Sequence, residues 1–255
     1  MLNIDKIYHG DCLELMNDIP DKSVDMILCD LPYGTTACKW DIIIPFEFLW
    51  KQYNRIIQDN GAIVLTGREP FTSLLVTSNI KNYKHKWVWN KKQSGSFQNA
   101  KYMPLQIEED ILVFSNKRVN YYPLMRTGKM RKRGGASKKS RVVGSGMLDG
   151  YENFSDKYFP VNILEMANPR IDKLHPTQKP VELFQYLIET YTKEGETVLD
   201  NCAGSGTTAI AAINSNRHWI CMEKDDKYFY IASKRIEDHI TNRNIDENKA
   251  SKKSH

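Results

Sequence analysis

Several things are scarce or missing in this chain of 255 residues, and each absence removes a class of function. No apolar run approaches the ~20 residues that a membrane-spanning helix needs. The first residues carry no basic-then-apolar signal pattern, so a cytoplasmic protein with no membrane partner is expected. There are five cysteines, Cys12, Cys29, Cys38, Cys202 and Cys221, with no C-x-x-C pair among them. An odd, scattered set of this kind fits neither a disulfide framework nor zinc, and no metal site is expected. Acidic residues are missing from Ile111 to Leu148. Into that window fall Lys117, Arg118, Arg126, Lys129, Arg131, Lys132, Arg133, Lys138, Lys139 and Arg141. Local charge of one sign points to a polyanionic partner, although the whole chain carries only +5.

What is present is an ordinary globular composition, 41% hydrophobic and 26% charged, long enough for one large α/β domain with an insertion. A short strand is expected over residues 4–10 and a short helix from Leu13 to Ile19. Val24 to Cys29 reads as a buried strand. Phe46, Leu49, Trp50, Tyr53, Ile56 and Ile57 recur at helical spacing behind Pro45, with Gly61 as the stop. Ala62–Thr66, His85–Trp89 and Ile111–Phe114 read as strands, and a helix is expected from Pro70 to Asn79. The pattern breaks over 117–164, where glycines and tyrosines interleave with the basic residues. It resumes with a helix from Val181 to Tyr191, then strand, glycine loop, helix, strand and helix through Ile240. Alternation of this kind predicts an α/β, Rossmann-like, mostly parallel sheet with helices on both faces. The expected divisions are 1–116, an inserted segment 117–164, 165–240, and a polar frayed tail 241–255.

The stretch Asp30-Leu31-Pro32-Tyr33-Gly34 ends the buried strand at 24–29. Ligands of open α/β sheets bind beyond the carboxyl ends of strands. Pro32 forces Leu31 to be extended and brings no N–H, which leaves the Leu31 carbonyl free to accept. A carboxylate oxygen and a carbonyl a few ångströms apart can hold both hydrogens of one amino group. The ring of Tyr33 can stack on the flat base carrying it. An ordinary Asp-Pro-Gly turn would give the same letters.

The second chemical stretch is Asp200-Asn201-Cys202-Ala203-Gly204-Ser205-Gly206-Thr207-Thr208, between a strand and a helix. Glycines there allow tight turning and close approach of a ligand. Glu223 closes the next strand, where an acid can accept from ribose hydroxyls. No lysine follows Gly206, so this is not a P-loop, and a third dinucleotide glycine is missing. A carboxylate at position 200 repels a pyrophosphate but suits an ammonium. These features favour S-adenosylmethionine over a dinucleotide.

Together the pieces resemble the amino-methylating DNA methyltransferases, which modify adenine N6 or cytosine N4. Residues 30–33 resemble that family's D-P-P-Y, with Leu31 for the first proline. Residues 200–208 resemble its D-P-F-A-G-S-G-T-T, with Asn201 and Cys202 substituted. His175-Pro-Thr-Gln-Lys-Pro180 matches its H-P-T-Q-K-P segment. The order, catalytic motif first, basic insertion next and cofactor motif last, is that of the family's β group. The resemblance runs from about residue 4 to 240. It implies transfer of a methyl group from S-adenosylmethionine to adenine N6 in double-stranded DNA, after the base is flipped out. Asp30, Leu31, Pro32 and Tyr33 would be catalytic. Asp11 and Cys12 would border the cofactor adenine, although Asp11 reads equally well as a helix N-cap. Glu223 would hold the ribose, and residues 200–207 the methionine end. Thr177 and Lys179 would be polar contacts at that same end, and His175 is given no proton-transfer role. Arg126, Lys129, Arg131, Lys132, Arg133, Lys138, Lys139 and Arg141 would face DNA. A homodimer and a cognate restriction endonuclease are the protein partners the resemblance implies.

Other readings stay open. Cytosine N4 is the runner-up, because aspartate rather than serine at position 30 is a tendency of the adenine enzymes, not a rule. RNA and protein-glutamine methyltransferases use related motifs, usually in the opposite order. An inactive nucleic-acid-binding module is the reading from another class. Methylation at cytosine C5 would need a nucleophilic cysteine, and no Pro-Cys pair occurs.

Overall fold

The computed structural model describes residues 1–253 apart from 37, 39, 96, 134–152, 169–173 and 176–177. Its described strands are β1 (Lys6–His9), β2 (Val24–Cys29), β3 (Ile57–Gly67), β4 (Tyr83–Asn90), β5 (Glu108–Phe114), β6 (Arg126–Arg133), β7 (Asn153–Tyr158), β8 (Ile163–Glu165), β9 (Thr197–Asp200) and β10 (His218–Glu223). The helices are α1 (Cys12–Leu15), α2 (Phe46–Ile56), α3 (Phe71–Ser78), α4 (Val181–Tyr191), α5 (Thr207–Asn214) and α6 (Asp226–Lys253). No helix among the described residues is long and apolar enough to cross a membrane.

The chain divides into two compact units, Met1–Tyr122 with Asn162–His255, and Pro123–Val161. The larger is an α/β unit built on one sheet in the order β1-β10-β9-β2-β3-β5-β4-β8. Its pairings are parallel except those of β5, which runs antiparallel to both β3 and β4. Met26 and Leu28 of β2 point into a core shared with α4 and α5. Ile27 and Cys29, alternating with them, point into a second core with α1, α2 and α3. A strand covered on both faces must be apolar where it is covered, which is why β2 carries no polar residue from Met26 to Cys29. Asp30 therefore stands where the buried run stops.

Three elements differ from expectation. Helix α2 ends at Ile56, because Ile57 already pairs with Val24 in β3. Gly61 is not a helix stop but lies inside β3, where a Cβ would come within 2.7 Å of the Asp25 carbonyl oxygen. Only a residue without a side chain lets the two strands close there. The stretch beyond Ile240 is helical to Lys253 rather than frayed. Arg243 fastens it by donating to the Ile213 carbonyl and, at 2.7 Å, to Asn216 Oδ1. Its polar letters mark a helix with little to bury, not a missing one.

The smaller unit pairs β6 with β7 in an antiparallel ribbon. It is narrower than the 117–164 segment expected from composition. Lys117, Asn120 and Tyr122 donate backbone hydrogen bonds to Asp59, Asn60 and Thr190 of the larger unit's own residues. Ile163–Glu165 pairs with β4 of the main sheet.

Candidate active site

The parallel strands deliver their carboxyl ends to one edge of the sheet, and one cavity of about 1020 Å³ opens along it. Asp30 follows β2, Asp200 ends β9 and Glu223 ends β10. Because β5 is reversed, it presents its amino end there, so Glu109 arrives at the same edge. All four carboxylates line the cavity.

Asp30 is held from three sides. Its Oδ1 accepts from Thr66 Oγ1 of β3, and from Tyr33 Oη at 2.8 Å. Tyr33 Oη is also 2.8 Å from Thr66 Oγ1, so its single proton serves one of the two oxygens at a time. Oδ2 accepts from Lys179 Nζ at 2.6 Å. Lys179 is 6% exposed and also lies 3.3 Å from Glu109 Oε2, while Glu109 Oε1 accepts from Lys91 Nζ at 3.1 Å. Burial alone would pull the Lys179 ammonium pKa down, but Asp30 and Glu109 outweigh it and the pKa is raised. Lys91, Glu109, Lys179 and Asp30 thus form a chain of alternating charge. Among the described residues the buried Leu31 carbonyl takes part in no hydrogen bond. The Tyr33 ring is stacked on Phe71 with centroids 4.9 Å apart, and the Lys179 ammonium lies over it, 5.9 Å from its centroid.

The loop after Tyr33 is shaped by Asp41, a residue that sequence reasoning passed over. Its carboxylate accepts the N–H groups of Gly34, Thr35 and Thr36 at 2.7–2.9 Å. Burial would raise the Asp41 pKa, but these hydrogen bonds prevail and lower it. Hydrogen bonds to a buried charge are worth more than neutral ones, so Asp41→Ala is expected to cost about 2 kcal/mol. A lower melting temperature and faster proteolytic cleavage near residues 34–36 would be measured. An unchanged melting temperature would mean that the loop holds its shape without the carboxylate.

At the other end, Asp200 is 3% exposed. Its oxygens accept from Thr208 Oγ1 and from the Cys202 N–H, the latter at 3.0 Å. Burial pushes its pKa up to about 6, against the pull of those two donors. Glu223 accepts from the Gly204 N–H at 2.8 Å and from the Asp225 N–H at 2.8 Å. Burial raises its pKa too. Asp11 serves as the N-cap of α1, accepting from the Leu13 N–H at 2.9 Å, and its other oxygen pairs with Lys224 at 2.9 Å. The Lys224 contact holds its pKa low. Capping and cavity lining are both true of Asp11.

The remaining expected site residues fall out as follows. Cys12, Ala203, Gly204, Ser205 and Thr207 line the same cavity, with Lys179. Asn201 and Cys202 line it as well, but the Asn201 side chain is spent inward: Tyr53 Oη donates to its Oδ1 at 2.5 Å, and its amide faces the Cys12 and Cys202 sulfurs at 3.5 Å. Gly206 is not among the lining residues. It sits at φ +78°, and a Cβ there would press on Ile236 at 3.0 Å, so its business is packing α5 on α6. Thr177, Lys138, Lys139 and Arg141 lie outside the described residues. The backbones of Lys132 and Arg133 are in β6, and Arg126, Lys129 and Arg131 of that strand have exposed side chains. The Arg131 guanidinium lies 5.1 Å over the Tyr158 ring.

Of two further groups, only His175 carries a signal in the sequence, as the first residue of the H-P-T-Q-K-P segment. Thr66 reaches Asp30 only through the pairing of β3 with β2. Trp40, His175 and Tyr228 gather at the cavity wall, with His175 ring centroids 5.0 Å from Trp40 and 4.1 Å from Tyr228. Burial pushes the His175 pKa down to about 4, so it is neutral at pH 7. Contact with Cys202, then burial, raises the Cys12 thiol pKa, and burial raises those of Cys29 and Cys221. Thiols so held are not thiolate nucleophiles.

A family model described as DNA methylase matches residues 24–234. The chain is 28% identical to the DNA adenine methyltransferase YhdJ of Escherichia coli K12, over 91% of this chain and 82% of that one. It is 24% identical to the type II methyltransferase M2.MboI of Moraxella bovis, over 90% of this chain and 86% of that one. Among solved structures, the M1.HpyAVI complex with SAM superposes with a TM-score of 0.62 at 25% identity, covering 90% of this chain and 98% of that one.

Proposed function

The chain belongs to the DNA methylase family, and from that premise we propose that it transfers a methyl group from S-adenosylmethionine to the N6 amino group of adenine in double-stranded DNA. The observation that carries the reading is the end of β2. There a carboxylate, a carbonyl unengaged among the described residues, and an aromatic ring meet in the cavity that also holds the Asp200–Ser205 loop. Adenine is favoured over cytosine by Asp30 itself and by the adenine methyltransferase named among the relatives.

The cavity suits the cofactor by its own features. Gly204 is left-handed at φ +54°, a conformation that residues with side chains rarely adopt, and it lines the cavity. A buried carboxylate, Asp200, matches an α-ammonium, and Glu223 and Asp11 stand at two other points of the wall. Once bound, S-adenosylmethionine supplies a methyl carbon made electrophilic by its sulfonium. Asp30 and the Leu31 carbonyl would each accept one hydrogen of the target amino group. That pyramidalises the nitrogen and frees a lone pair otherwise delocalised into the base. Asp30 also stabilises the positive charge that grows on the nitrogen, a placed electrostatic contribution of about 3 kcal/mol. The Tyr33 ring would stack on the base. Flipping that base out of the duplex costs a few kcal/mol, which phosphate contacts from β6 would help to offset. The name of M2.MboI, a type II methyltransferase, supports a cognate restriction endonuclease as a partner. A homodimer has the family resemblance alone behind it.

Asp200 gives the cofactor site a pH signature. Its folded pKa of about 6 exceeds the ordinary 3.8, so its contribution to folding is complete below 3.8 and is lost as pH rises through about 6. Binding an ammonium has the opposite sense, because it requires the ionised form. Cofactor affinity is expected to be level above about pH 7 and to fall below about pH 6, by up to about tenfold per unit. Calorimetry in two buffers of different ionisation heat would record the proton released near pH 6. The same affinity at pH 5 and pH 8 would remove Asp200 from the ammonium contact.

The function itself is tested by incubating the protein with S-adenosylmethionine and unmethylated genomic DNA and identifying the nucleosides by mass spectrometry. N6-methyladenine supports the reading, and mapping it along the DNA gives the recognition site. N4-methylcytosine would keep the chemistry and overturn the base. No methylated nucleoside, with cofactor binding intact, would overturn the function.

A further inference from the structure

Lys179 has two part-buried carboxylates beside it and is hydrogen-bonded to one of them. Its Nζ is 2.6 Å from Asp30 Oδ2 and 3.3 Å from Glu109 Oε2. The second contact lacks hydrogen-bond geometry, and among the described residues Glu109 Oε2 has no hydrogen-bond partner although it is buried. A buried carboxylate oxygen left in that condition is costly. The other Glu109 oxygen is taken by Lys91. On Asp30, Oδ1 is committed to the Tyr33 and Thr66 hydroxyls. The oxygen an incoming amino group would use is the one the ammonium holds.

We propose that Lys179 is a positioning residue with two seats: on Asp30 before the target base enters, and on Glu109 Oε2 once the base's amino group has taken Asp30 Oδ2. The proposal rests on the methyl-transfer reading and deepens it. The exchange moves a proton donor from one carboxylate to another and changes no net charge, since two lysines and two carboxylates remain together. Every acceptor is satisfied after it: the amino group replaces the ammonium on Asp30, and the ammonium repairs Glu109. The exchange also selects the base. A carbonyl at the same ring position has no N–H with which to replace the ammonium, so it faces a carboxylate that stays occupied. Lys179 thereby discriminates amino bases from keto bases without touching the ring.

The test uses the full chain with Glu109→Gln, Lys179→Met and the double variant, on duplex containing the mapped site. Glu109→Gln takes the charge from the second seat, which leaves the ammonium stranded on the charged Asp30, and is expected to lower the single-turnover rate about tenfold. Removing the stranded cation should restore part of that loss, so the double variant is expected to be several-fold faster than Glu109→Gln. Cofactor affinity and melting temperature, measured alongside, identify loss of fold. A merely structural ion pair would leave the double variant no faster, and that result overturns the proposal, as does a Glu109→Gln enzyme as fast as the parent. A second readout needs no variant of Glu109. The ¹⁵Nζ resonance of Lys179, assigned by its loss in Lys179→Arg, should shift on binding duplex with the target adenine. It should not shift with 2-aminopurine at that position, which has no amino group at C6. Equal shifts with both overturn the exchange while leaving methylation standing. A parent enzyme that methylates no DNA overturns the functional reading first, and the exchange with it.

Discussion

Asp30→Ala is expected to lower the methylation rate by two orders of magnitude or more and to leave cofactor affinity nearly unchanged, the scale of losing one well-placed electrostatic group. The carboxylate would do two things in one place, holding an amino hydrogen and facing the positive charge that develops on nitrogen. Both vanish with the side chain. The Lys179 ammonium stays in the cavity with Glu109 as its remaining acid partner, 3.3 Å away. The charge then facing the target nitrogen is repulsive rather than attractive. Asp200 and Glu223 belong to other strands and keep their own backbone donors, so the cofactor end is insulated from the change. Asp30→Asn should fall between, since its amide oxygen still accepts but carries no charge. Rapid-quench single-turnover kinetics separates the chemical step from binding. A parent-like rate in Asp30→Ala would exclude the carboxylate from catalysis and with it the proposed mechanism.

DNA affinity is expected to collapse with salt, by about a thousandfold between 50 and 200 mM if six or more phosphates are neutralised. The reason is the one-sided charge of the stretch without acidic residues from Ile111 to Leu148. Arg126, Lys129 and Arg131 are exposed on β6, in a ribbon whose backbone is ordered by β7. If each meets a phosphate, the triple alanine variant should flatten the slope of log affinity against log salt by about three contacts' worth, ~0.9 for each. Its loss should be similar for cognate and unrelated duplexes, because phosphate contacts carry no sequence information. Fluorescence anisotropy across a salt series measures both. An unchanged slope would place the DNA contacts elsewhere. A loss confined to cognate DNA would mean that these side chains read bases.

The two motifs were legible because each is a local pattern: an apolar strand, a stop, and polar residues at the stop. Asp30, Asp200, Gly204 and Glu223 all announce themselves in this way, and the parallel sheet follows from the alternation around them. What could not be read depends on register. Lys179 belongs by neighbourhood to the segment expected beside the cofactor, yet its ammonium meets Asp30, 149 positions away in the chain. The family resemblance sets Glu109 and Lys91 at strand ends near the pocket and gives them no role. Glu109 matters because the antiparallel β5 brings its first residues to the edge where its neighbours end, one of them β4, which Lys91 follows. Thr66 is one more β-strand threonine until β3 is laid beside β2. Gly61 shows the converse, since a glycine after a helix pattern has an obvious local meaning, and the tertiary meaning, a close strand crossing, prevails.

The pairing of β2 with β9 has a consequence for how the molecule is made. Met26 lies against Val198 and Ile27 against Leu199. On a ribosome, the strand that carries Asp30 emerges long before the strand that must flank it. At about 5–20 residues per second, the interval between Cys29 and Thr197 lasts roughly ten to thirty seconds. Throughout that wait, one edge of an apolar strand has no permanent neighbour, and one of its faces lacks the helices α4 and α5 that will cover it. Such an edge is a template for wrong partners. The nascent chain therefore has a long exposure to chaperones, and a matching hazard of aggregation, at the strand on which its chemistry depends.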